Sequence, residues 1–141
     1  MSRVINPNAP GKLRNQLMRT CAEIIKRLSQ KTEVDDDVMD MTALLVFSFR
    51  EIDEGIDQAV AAWEKRDYWV KAARFRNEWI WVREAADNLE RIIREEQWDE
   101  LPPSLIKLVQ HFEDIKIARY TRKPTLWKGA YERLLEEQAA D

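Results

Sequence analysis

From Ala61 to Leu89 the chain reads AAWEKRDYWVKAARFRNEWIWVREAADNL, and the reading of this stretch decides the fold. It contains neither glycine nor proline and holds four of the six tryptophans. Ala72, Phe75, Trp79, Val82, Ala86, Leu89 and Ile93 recur at steps of three and four, which puts them on one face of a helix. Upstream, Val38, Met41, Leu45, Phe49, Ile52, Ile56, Ala59 and Trp63 form a second stripe that does not extrapolate onto the first in register. One unbroken helix through both would be far longer than helices usually are. The sequence therefore predicts two long helices, about 37–66 and 68 onward, with a tight turn at Arg66–Tyr68 and Asp67 as the N-cap of the second. Gly55 leaves the period undisturbed and is expected to permit close helix contact.

Working outward, Leu13, Leu17, Cys21, Ile24 and Leu28 predict a helix over about 12–30, opened by Pro10-Gly11 and preceded by a flexible arm over 1–11. The acids Asp35-Asp36-Asp37 suit a helix N-terminus, where carboxylates accept from free amides. A calcium loop would need the glycine and distal glutamate of the EF-hand pattern, and both are missing. Downstream, Leu101-Pro102-Pro103-Ser104 closes one helix and opens another, with Leu105, Leu108, Phe112 and Ile115 in register. Tyr120 to Lys128 reads as a loop around Pro124, followed by a short helix carrying Tyr131, Leu134 and Leu135. No strand alternation occurs. The expectation is an all-α antiparallel bundle of four main helices plus a short C-terminal one, a single domain over 1–141.

Size and composition narrow the chemistry. With 141 residues, 45% hydrophobic, the chain can bury a sizeable core. The net charge of -3 hides blocks: residues 1–34 carry seven bases against two acids, 35–60 one against eight, 61–83 six against three, and 84–100 two against seven. Such blocks can complement one another between helices. The N-terminal MSRVINPNAPGK has no apolar run and no window suits a membrane span, so a cytoplasmic protein without membrane contact is expected. One cysteine, Cys21, excludes an intrachain disulfide and sits on an apolar stripe, where it reads as inert. The lone histidine, His111, has no second ligand near it and reads as structural. No cofactor is expected.

Glu51 and Glu54, then Glu84 and Asp87, place two carboxylates on each of the two long helices. This E-x-x-E then E-x-x-D arrangement resembles the all-α nucleotide pyrophosphohydrolases of the MazG type. The resemblance implies Mg²⁺ held by the four acids against a nucleotide's phosphates. Arg50 stands where the family's pattern has another glutamate, and four surface acids are the preferred reading.

Two basic aromatic stretches remain. In 65–83, Lys65, Arg66, Lys71, Arg74, Arg76 and Arg83 interleave with Tyr68, Trp69, Phe75, Trp79 and Trp81, and a face salt-bridged to the acids of residues 51–57 is expected. In 116–128, KIARYTRKPTLWK holds five bases and no acid, so Arg119, Tyr120, Arg122, Lys123, Trp127 and Lys128 are the candidate partner-binding residues, for a protein or for a nucleic acid. Nucleic acid is not favoured, because the chain's pI is about 5.4. The helix over 37–66 is apolar on most sides in its first half, which calls for either a central position or a second protomer. The functional expectation is a non-catalytic bundle acting through self-association, as a homodimer touching at Met41, Leu44, Leu45 and Phe47, or through a protein partner.

Overall fold

The computed structural model describes residues 9–140 and, among them, is all-α: α1 Ala9–Ser29, α2 Asp36–Lys65, α3 Trp69–Arg94, α4 Leu101–Val109 and α5 Ala130–Ala140. Three helices are long and two are short. The fourth ends at Val109 and tightens into a 3-10 turn over Gln110–Phe112, so Ile115 lies beyond the helix in which the periodicity placed it. Residues 9–11 of the expected arm belong to α1, and 1–8 lie outside the described residues.

Helices α2 and α3 form the spine, an antiparallel hairpin. Trp63 meets Phe75, Arg83 meets Asp53, and Phe49 meets Trp81, so partners advance along one helix as they retreat along the other. α1 packs on α2, and α4 on α1 and α3. α5 runs the other way from what simple alternation would give. Its neighbours on α2 rise together, with Asp40 near Gly129, then Arg50 near Glu137, so α5 is parallel to α2 and antiparallel to α3. One continuous buried cluster draws on all five helices, from Met18 through Phe49, Leu89 and Leu105 to Leu134.

The break near residue 67 is real, but Asp67 is not an N-cap. It takes a left-handed φ of 63° and closes α2: Tyr68 N–H donates to the Trp63 carbonyl (2.9 Å) and Asp67 N–H to that of Glu64 (3.0 Å). That is the Schellman closure, usually built on glycine. α3 ends the same way, with Glu96 at φ 54° and Gln97 N–H donating to the Ile92 carbonyl (2.9 Å). Asp35 does cap α2, accepting from Val38 N–H at 2.8 Å. Gly55 is not a close-packing position, since a Cβ built there meets nothing within 4 Å.

The apolar first half of α2 takes the central position. Met41, Leu44 and Leu45 are buried within one chain, and Phe47 is half-buried beneath the guanidinium groups of Arg50 and Arg133. α1, α3 and α5 all pack against α2, so the side chains expected at a homodimer contact are already covered by the chain's own helices.

Candidate functional site

The segment 113–129 leaves the end of α4 and returns along α1 to the start of α5. What holds it is Glu23, which lies between Ala22 and Ile24 in the buried sector of α1 and is fully inaccessible. A buried carboxylate needs compensating donors. Glu23 accepts from Thr121 N–H (2.9 Å), Arg122 N–H (3.0 Å), Thr121 Oγ1 (3.3 Å) and Arg27 Nε (3.1 Å). Burial alone would raise its pKa, but the two backbone amides and Arg27 outweigh it and hold the carboxyl below its usual value.

This strap consumes much of the surface proposed for 116–128. Trp127 is 1% exposed and donates its indole N–H to Asp37 at 2.6 Å. Arg27 lies over the Tyr120 ring at 4.1 Å, and the Tyr120 hydroxyl donates to Gln30. Arg122 donates to Thr20 and Thr121. Neither the indole nor one face of the phenol is offered to a nucleotide base. Arg119, Lys123 and Lys128 remain exposed.

In the 65–83 stretch the expected ion pairing occupies one end. Arg76 and Arg83 both engage Asp53 and Asp57, with Arg83 Nε 3.0 Å from Asp53. The other end is bare. Tyr68, Trp69 and Val70 stand exposed at the hairpin turn, Trp69 at 59% and Val70 at 67%. Among the described residues the side chains of Lys65, Arg66 and Arg74 pair with no acid.

The four carboxylates shared with the pyrophosphohydrolase pattern do not assemble. Glu51 lines a hollow against Leu13 and Arg14 of α1, whereas Glu84 lines one against Ser104 and Lys107 of α4. No three acids, histidines or cysteines among the described residues are grouped so as to hold a metal ion. Glu51, Glu54, Glu84 and Asp87 are all exposed, as surface acids, while Asp53 and Asp57 face the arginines Arg76 and Arg83 of α3.

Comparison with known proteins adds nothing to this geometry. No family model, curated protein or solved structure matches the chain. No helix among the described residues is long and apolar enough to cross a membrane.

The nucleophile and base candidates are locked in packing. Burial pushes the Cys21 thiol up to about 12, partly offset by its contact with Ser48. His111 stacks flat on Trp81, ring centres 3.9 Å apart, and burial lowers its pKa.

The feature the sequence reading missed is a groove of about 290 Å³ between α1, the 31–38 connection and α4. Its floor is Ile25, Leu28, Val38 and Leu105, and its rim carries Val34, Ile106 and Val109. Ile106 is 74% exposed. The signal was present in α4: Leu101, Leu105 and Leu108 turn inward, while Pro102, Ile106 and Val109 share the adjoining face at steps of four and three. A helix apolar on two faces has a second face to cover.

Proposed function

We propose that this chain is a non-catalytic helical bundle that acts by holding another polypeptide in the α1–α4 groove. The observation that carries this reading is the outward apolar face of α4, where Ile106 and Val109 remain in water beside an apolar cleft. Exposed apolar surface next to a concave site marks a place where covering it favours association. The titratable groups support the same reading from the other side, because the inward acids meet arginines and the thiol and imidazole are packed.

The test is a photo-reactive side chain at position 106, with a control at exposed Glu78 on α3. Illumination of the full chain in its native cells should give adducts with a polypeptide from 106 and none from 78. An absence of polypeptide adducts from 106 ends the reading.

A further inference from the structure

We propose that the polypeptide filling the groove is a second copy of this chain, entering by its α2–α3 hairpin tip, so that copies join head to tail. This rests on the binding role given to the groove above. The two surfaces lie at opposite ends of the bundle. The groove is built where α1 ends and α2 begins, and the tip is where α2 ends and α3 begins. Thirty residues of α2 at about 1.5 Å each separate them, so a chain cannot seat its own tip in its own groove.

Each surface is apolar at its centre and charged around it, with opposite signs. In the segments that line the groove, 31–38 and 98–109, Asp35 and Asp37 pair with Lys31 and Glu100 pairs with Arg91 of α3, which leaves Glu33, Asp36 and Asp99 against Lys107. Residues 65–74 of the tip carry Lys65, Arg66, Lys71 and Arg74 against the single acid Asp67. A groove facing a groove sets acids against acids, and a tip facing a tip sets cations against cations, each at a cost. Only tip into groove pairs opposite charges while covering Trp69 and Val70 on one copy and Ile106 and Val109 on the other. Trp and Arg are also the residues that most often anchor such contacts. Because the two patches differ, the contact is heterologous and can continue from copy to copy.

A complementation experiment on the full chain decides it. Trp69→Ser disables the tip and leaves the groove; Ile106→Glu disables the groove and leaves the tip. Both positions are exposed, so both variants should keep the wild-type helical circular dichroism and melting temperature. In sedimentation velocity at low salt and up to about 500 µM, a range suited to a small transient interface, the wild type should grow past the dimer with concentration. It should fall back as salt screens the charges. Each variant alone should stay monomeric, and an equal mixture should form a dimer that grows no further, since one intact tip meets one intact groove. A monomeric wild type over this range, a variant that still associates alone, or a mixture that remains monomeric overturns the proposal. If the cross-link from position 106 captures a different protein while the wild type stays monomeric, the second copy is excluded and the partner reading survives. If it captures none, both fall.

Discussion

The segments 65–74 and 116–128 read alike, each basic and aromatic with little acid, yet the structure puts them to opposite uses. In the second, Trp127 is sealed into the core and Glu23 clamps the backbone of Thr121 and Arg122. In the first, Trp69 stands in water with cations around it. Composition is shared; what differs is the acid opposite. α1 supplies one buried carboxylate and α2 begins with Asp37 and Asp40, both aimed at the strap and the first turn of α5. The hairpin tip lies beyond Asp57, the last acid of α2 that engages arginines of α3, and among the described residues Lys65, Arg66 and Arg74 pair with no acid. A basic aromatic segment is a structural strap or a free surface according to what the rest of the fold brings to it.

The sharpest way to break this contrast is to truncate one indole at a time. Trp127→Ala should cost about 3–5 kcal/mol in urea denaturation, as for other large buried aromatics. Trp69→Ala should fall within about 0.5 kcal/mol of wild type when measured at a concentration where the chain is monomeric. Similar losses at both positions would erase the distinction.

Glu23→Ala comes next, at about 3 kcal/mol, because two backbone amides and Arg27 lose a shared acceptor. Hydrogen exchange at Thr121 and Arg122 should accelerate with it. The same residue sets an acid dependence. Its folded pKa lies below the usual 4.5, so the folded chain binds this proton more weakly than the unfolded one. The stability it contributes is complete above 4.5 and is lost as pH falls through the folded value. Glu23→Gln should flatten that part of the pH profile, and an unchanged acid limb would show that the clamp carries no charge.

Two smaller effects test the spine that separates tip from strap. Asp67→Gly and Glu96→Gly should each raise the melting temperature, by about 1 kcal/mol of stability, since glycine takes the left-handed conformation without the Cβ conflict. Gly55→Ala should add about 0.5–1 kcal/mol, because its helical position is open to a methyl group. A loss at Gly55 would mean that a neighbour approaches there after all.

The long helices were legible because their stripes obey one period: Val38 to Ile56 and Val82 to Ile93 are buried as the spacing demands. The turn at residue 67 was legible as a change of register, but its mechanism was not, because an aspartate holds a place usually taken by glycine and reads as an N-cap. The length of α4 was misjudged for a related reason. Phe112 keeps the helical spacing, yet the backbone tightens into a 3-10 turn before it. The strap was hidden because its organiser, Glu23, is distant in sequence and looks like any other acid in a charged helix; only its burial between Ala22 and Ile24 reveals it. The rim of the groove was hidden by the inward stripe of α4. Leu105 and Leu108 satisfy the helical period of α4 by themselves, and Ile106 and Val109 fall outside that stripe.

Glu23 also fixes an order of events during synthesis. Its acceptors are satisfied by residues 98 and 99 positions later in the chain, and the sealing indole is later still. A nascent chain that has released α1 through α4 from the ribosome therefore holds a carboxylate with no amides to receive it and a core with one side open. The native bundle can close only once synthesis has passed Trp127, and a premature stop anywhere before that residue should leave a species for chaperones and proteases rather than a shortened working protein.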